Sequence, residues 1–251
     1  MRPVLRGVGL VIAFWWVATG VIIAMQANAV TRGLGLAVAT VLGVVGFLEM
    51  RATREDDTPE SVRRSFLGGA MLWGWISASF YGGFLTGIAP SVVPPPAPSW
   101  GAVLPAIAAT LVSDAAALLL LIFSAWLDHG ARNRTGLKAL ALFWIVQQVA
   151  KLNVFFGVEN PAANFLPPHL AGLRQFFGPP VNSPFRLVSL AALALATGWA
   201  AWGARPSQPP GRRQAAAIYA TILALAVLEI ALLGVRVDAT PWDSFLRARG
   251  S

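Results

Sequence analysis

Apolar blocks of about 20 residues, each long enough to cross a bilayer, follow one another along this chain with only short polar joints between them. In hydrocarbon every backbone N–H and C=O must be satisfied within the chain, which leaves only helices or closed barrels. Barrel strands would alternate apolar and polar residues. Here the apolar runs are continuous, so the expected fold is all-α: a polytopic transmembrane helical bundle of about seven spans. Composition agrees, because only 12% of residues are charged against about a quarter in a soluble domain. Nothing in the sequence looks like a soluble enzyme domain.

The spans are read as roughly 5–26, 33–50, 66–89, 101–127, 136–158, 184–204 and 213–234, from apolar length and flanking Arg, Pro and Gly. The second is the shortest, and Gly33, Gly35, Gly43 and Gly46 fit it for close packing, here expected against the first. Residues 90–98, with Pro94, Pro95 and Pro96, read as a stiff extended connector. The longest loop, 159–183, carries Phe165, Leu166, Leu170, Leu173, Phe176 and Phe177 at helix-like spacing. That pattern suits a short interfacial helix over 165–177, or a loop packed over the bundle. Trp100, Trp126, Trp199, Trp202 and Trp242 stand near span ends, where interface anchors are favoured.

The net charge of +8 does not call for a nucleic-acid partner, because the basic residues sit in joints beside apolar spans. With the N-terminus cytoplasmic, that side collects Arg2, Arg6, Arg51, Arg54, Arg63, Arg64, Arg132, Arg134, Lys138, Arg205, Arg212 and Arg213. The opposite side collects half as many: Arg32, Arg174, Arg186, Arg236, Arg247 and Arg249. The positive-inside rule then places the N-terminus inside and the C-terminus in the periplasm. Arg2 and Arg6 before an apolar run, with Ala27-Asn28-Ala29 after it, resemble a signal peptide. The run is long for that and holds Trp15-Trp16, so a retained anchor is expected. Arginine, alanine, glycine and proline are plentiful, as in the output of a GC-rich bacterial genome.

Three ionisable residues fall well inside spans: Asp114 in the fourth, Lys151 in the fifth and Glu229 in the seventh. A charge there costs at least about 2.5 kcal/mol, so each should face the interior and find a partner. Lys151 and Glu229 each sit about fifteen residues along parallel spans, hence at similar height in the outer half of the membrane. They can form an ion pair, with Asp114, nearer the middle, competing for Lys151 or carrying a proton. Trp144, Gln147, Gln148, Lys151 and Phe155 share one inward face of the fifth span. These groups, with Asn153, are either structural glue or part of a proton path or ligand pocket, and on the second reading Asp114, Lys151 and Glu229 would serve a small transporter or proton-handling membrane protein.

Other chemistry lacks its residues. Cysteine is absent, and the two histidines, His129 and His169, fall in loops on opposite sides of the membrane, so no metal site is expected. Neither can serve from within a span as an axial ligand to haem or bacteriochlorophyll. No catalytic triad, phosphate loop or dinucleotide fingerprint stands in a usable context, and no internal repeat or matched pair of broken helices of the transporter kind appears.

The run Ala150-Lys151-Leu152-Asn153-Val154-Phe155-Phe156-Gly157-Val158, followed by Asn160 and Phe165-Leu166-Pro167-Pro168-His169-Leu170, resembles the PuhE family of photosynthetic complex assembly proteins. Collinear matches are Phe14-Trp15-Trp16, Asp56-Asp57-Thr58, Leu72-Trp73-Gly74-Trp75, Phe84-Leu85-Thr86-Gly87 and the run ending in Leu228-Glu229. The resemblance implies a multi-span membrane protein of anoxygenic phototrophic bacteria. It also implies a role in assembling the reaction centre and core antenna or in supplying their pigment, with reaction-centre or core-antenna subunits as partners. Contact with bacteriochlorophyll or carotenoid is compatible with that role, and no catalytic reaction is implied. The family carries intramembrane histidines where this chain has Ile76, Val112 with Ser113, and Ile230. The resemblance is therefore to a divergent member without those ligands, in which small-residue pairs such as Gly83 with Gly87 and the segment 165–177 are expected to meet partner helices.

Overall fold

The computed structural model describes residues 2–89 and 91–236, and all of its long elements are helices. They are α1 (Arg2–Ala24), α2 (Ala29–Ala52), α3 (Pro59–Tyr81), α4 (Trp100–Leu127), α5 (Thr135–Phe156), α6 (Pro184–Trp202) and α7 (Pro210–Leu233). Six are long and apolar enough to cross a membrane; α3 is not among them. The polytopic helical bundle expected from the apolar blocks is the fold observed. Trp242, Arg247 and Arg249 lie outside the described residues.

α3 is the helix whose bounds differ most from the apolar pattern, which placed the third span at 66–89. Thr58 caps its N-terminus and Pro59 occupies the first turn, a position where a missing N–H costs nothing. Asp56 accepts hydrogen bonds from Thr58 N (3.0 Å), Thr58 Oγ1 (2.9 Å) and Ser61 Oγ (2.7 Å). Those bonds, Ser61 first, hold the exposed Asp56 carboxyl below its ordinary value. The stabilisation is therefore fully present above the unfolded value near 3.8 and is lost as pH falls through the folded one. Replacing Asp56 with alanine is expected to lower the unfolding temperature at pH 7 and to leave it unchanged near pH 2. Parallel melts of both proteins check this.

At its other end α3 stops at Tyr81, because Gly83 takes φ +82° and turns the chain out of the helix. Residues 82–89 then run as non-helical chain at the level of the upper bundle. Part of their backbone is satisfied within the bundle, as hydrocarbon requires: Phe84 N and Leu85 N donate to Ser79 C=O, and Ile88 N donates to Ala108 C=O of α4.

α2 is longer than the expected 33–50 because the capping box of Asn28 with Thr31 starts it at Ala29. The shortest long helix is instead α6, with 19 residues. Nor does α2 pair with α1. It lies along α3, where Gly46 and Gly68 bring the two backbones together, while Gly43 meets Trp75 and Gly35 meets Met25. α1 packs on α7, its Gly7 set against Gln214 and Ile218.

α3 packs against α1, α2, α4, α5 and α7. The core it anchors joins Val11, Phe66, Phe143, Ile218 and Ile222, with Trp73 stacked on Phe143 at 6.1 Å. A second cluster, Val146, Leu193, Ala226 and Ile230, holds α5, α6 and α7 together. At the end of α4, Arg51 and Arg54 donate to Leu127 C=O (3.5 and 3.1 Å) and Arg54 also to His129 C=O (3.2 Å). These arginines thus cap the carbonyl end of a helix, where positive charge is favoured.

Residues 165–177 form 3₁₀ turns, Ala163–Phe165 and Pro168–Phe176, rather than one α-helix. Pro167 and Pro168 remove donors that an α-helix would need. Leu170 and Phe176 are buried, so the segment is partly a cover over the bundle. Trp100, Trp126, Trp199 and Trp202 are all exposed near helix ends, as interfacial anchors require.

Candidate functional site

The three intramembrane ionisable residues converge, but not in the expected pairs. Lys151 Nζ reaches both oxygens of Asp114, at 2.8 and 2.9 Å. Gln148 Nε2 donates to Asp114 Oδ1 at 2.9 Å, and Thr110 Oγ1 to Oδ2 at 2.8 Å. Four hydrogen bonds from α4 and α5 therefore saturate the Asp114 carboxylate. Phe80, on the last turn of α3, places its ring centroid 5.9 Å from Lys151 Nζ, where a desolvated cation gains further attraction.

The expected Lys151–Glu229 pair is not formed. Asp114 stands level with Lys151 rather than a turn or two deeper, and it takes the ammonium. Glu229, on α7 and partly buried, makes no ion pair or hydrogen bond among the described residues.

A cleft runs between α3, α4 and α5, lined by Trp73, Tyr81, Asp114, Trp144, Gln147 and Lys151. Measured as space open to the centre of a water molecule it holds about 20 Å³, room for roughly one water. The buried indole N–H of Trp144 has no partner and lines this cleft. Of the three positions where the resemblance led histidines to be expected, Ile76 and Ser113 form part of the same wall, where Ser113 Oγ donates back to Thr110 C=O at 2.9 Å. The third, Ile230, is buried with Val146 and Leu193.

Among the described residues no group of three His, Cys, Asp or Glu is placed to hold a metal ion. His169 Nε2 lies 2.7 Å from Tyr81 C=O, while His129 follows the opposite end of α4.

The motif 150–170 divides between site and scaffold. Lys151 belongs to the ion pair, and Leu152 faces outward, 44% exposed. Asn153 is fully buried and donates to Val149 C=O (2.8 Å) and Ser189 Oγ (3.0 Å), joining α5 to α6. Phe155 meets Phe156 edge to face. Gly157, at φ +112°, ends α5 against Pro179. Beyond it Leu166 and buried Pro167 lead from Phe165 into the second 3₁₀ turn, which brings His169 to the end of α3. The pair Gly83 and Gly87 is not a helix-contact face: both lie after α3, Gly83 beside His169 and Gly87 against the Ala108 and Ala109 backbone.

Sequence reasoning did not single out Tyr81, Phe80 or Thr110. Thr110 stands four residues before Asp114, a spacing that puts both on one helix face, and was findable. Tyr81 was hidden by a third span drawn eight residues too far, which left it in mid-helix.

The model of the family described as protein of unknown function DUF3623 matches residues 1–250. A Rhodobacter capsulatus protein, described as an uncharacterized 30.4 kDa protein in the puhA 5′ region, is 28% identical over 220 residues, covering 86% of this chain and 80% of that protein. No solved structure matches the chain. With a match running from end to end over a multi-span helical bundle, the chain belongs to the DUF3623 family.

Proposed function

We propose that this chain is a non-catalytic accessory or assembly protein of the anoxygenic photosynthetic apparatus, seated in the bacterial inner membrane with its N-terminus cytoplasmic and its C-terminus periplasmic. It aids assembly of the reaction centre and core antenna, or pigment supply to them, through lateral helix contacts. The observation that carries the reading is the Rhodobacter capsulatus relative, whose description places it in the puhA 5′ region, together with the PuhE-like run from Ala150 to Leu170.

The geometry is compatible with such a role. The cleft around Asp114 and Lys151 has space for one water and not for a substrate or a pigment, so contact with bacteriochlorophyll or carotenoid belongs on the outer helix faces. Those faces are broad and apolar: Trp16 and Val17 on α1, Val41 and Leu48 on α2, Leu195 and Trp199 on α6 are all well exposed. Lipid covers them by default, and helices of reaction-centre or antenna subunits can replace it where packing is close.

A tagged copy drawn in mild detergent from phototrophically grown cells is expected to bring reaction-centre or core-antenna subunits with it, read by mass spectrometry and near-infrared absorption. Recovery of a colourless chain by itself would overturn the reading.

A further inference from the structure

α1 packs along α7, and Gly7 lies against Gln214 and Ile218, so the two helices start at the same height on the same side of the membrane. Arg2 and Arg6, four residues apart and so on one face of α1, are exposed, as is Arg212 in the first turn of α7. Arg213 Nε donates to Ala204 C=O at 3.4 Å, which holds the α6–α7 loop and its exposed Arg205 against this corner. The Arg205 guanidinium stands 5.1 Å from the ring of Trp202, which is exposed at the end of α6. An exposed tryptophan at a helix end marks the interfacial layer, so these cations stand at headgroup height.

The positive-inside rule asks that cations lie on one side of the membrane, not that they gather unpaired. On α3, which also packs here, Arg63 pairs with Glu60 and Arg64 with Glu49. Among the described residues none of Arg2, Arg6, Arg205, Arg212 and Arg213 forms an ion pair. Asp57, whose backbone carbonyl meets Gly211, brings a single exposed carboxylate against these five cations. The charge order of α7 points the same way. Its first turn holds two arginines and no acid, the reverse of what the helix dipole favours, whereas α3 opens with Glu60. That placement costs helix stability unless an anion offsets it.

We propose that this corner binds the headgroup phosphate of an anionic phospholipid in the leaflet that meets the starts of α1 and α7. Guanidinium groups suit the phosphate oxygens through their paired planar donors. A soluble phosphate ion offers the same oxygens, but the bilayer presents a headgroup at this height continuously, with its chains against the exposed Leu5 and Trp202. Basic pockets between membrane helices recognise acidic headgroups in this manner. The inference rests neither on the photosynthetic reading nor on which side of the membrane the N-terminus lies.

Native mass spectrometry tests it on the full chain, released from nanodiscs of equal phosphatidylglycerol and phosphatidylcholine with the same acyl chains. The chain is expected to retain phosphatidylglycerol over phosphatidylcholine by about tenfold or more, the scale that two or more arginines near an anionic headgroup supply. Arg6→Gln combined with Arg212→Gln is expected to abolish that preference at an unchanged melting temperature, since both side chains are exposed. Arg132→Gln combined with Arg134→Gln removes the same charge from the exposed α4–α5 joint at the same end of the bundle, and is expected to leave the preference intact. Equal retention of the two lipids by the wild type would overturn the proposal and leave the cations to an acidic protein segment. Displacement of phosphatidylglycerol from the wild type by inorganic phosphate would overturn it in favour of a soluble anion. An equal loss of preference in the Arg132 and Arg134 variant would overturn it by reducing the corner to diffuse charge.

Discussion

Replacing Lys151 with methionine is expected to cost the bundle about 3–5 kcal/mol of stability, the penalty for stripping one partner from a buried ion pair. Both side chains are about three-quarters covered, so little water is at hand to solvate the Asp114 carboxylate once the ammonium is gone. Gln148 and Thr110 would remain as donors, but both are neutral. The companion change of Asp114 to leucine in the same protein is expected to recover most of the loss, because two apolar groups fill the gap with no charge left behind. Unfolding in mixed micelles, run as a double-mutant cycle, measures both numbers. If Lys151→Met by itself were neutral, the pair would have to be screened by solvent and could not help to order α4 against α5.

A comparable loss, at or above the upper end of about 1–3 kcal/mol for overpacking, is expected from Gly69→Val in α3. A Cβ at Gly69 would run into the Gly136 backbone carbonyl, and one at Gly136 into the Ser65 carbonyl. The obstacle on each side is main chain, which cannot rotate away. α3 and α5 would therefore have to separate, taking Phe66, Phe143 and Trp73 out of register. Gly74, five residues further along the same helix, has nothing within 4 Å of an added Cβ. Gly74→Ala should thus be neutral or gain about 0.5–1 kcal/mol from helix propensity. Melting temperatures of the two variants side by side separate crowding from any general intolerance of α3 to change.

Six of the seven helices were legible because length and apolarity are dictated by the bilayer itself. The seventh was misplaced for a physical reason: α3 begins with Glu60, Arg63 and Arg64 and ends at a turn set by Gly83, whereas Phe84, Leu85 and Ile88 prolong the apolar run without prolonging the helix. Helix pairing was not legible. Gly43 and Gly46 signal close approach, but nothing in α2 says that the approaching helix is α3 rather than α1.

The same limit applied to the site. Depth along the helices brought Asp114, Lys151 and Glu229 near one layer, while the choice of Asp114 as partner depended on rotation about the axes of α4, α5 and α7, which spacing within one helix cannot give. Three- and four-residue spacing along α5 does place Trp144, Gln147 and Lys151 on the wall of one cleft, with Gln148 bonded to Asp114 and Phe155 set instead against Phe156.

α3 combines the poorest claim to a membrane with the most central seat in the bundle, and this bears on how the chain enters the bilayer. Three charges in its first turns make it a weak independent substrate for the translocon, whose partitioning follows hydrophobicity. Its neighbour α2 is strongly apolar, is joined to it by a short turn, and meets it through the Gly46–Gly68 seam. The two helices are therefore suited to leave the translocon as a hairpin, α2 carrying α3 with it. α5 and α7 emerge later from the ribosome, so α3 must wait in a half-covered state until they arrive.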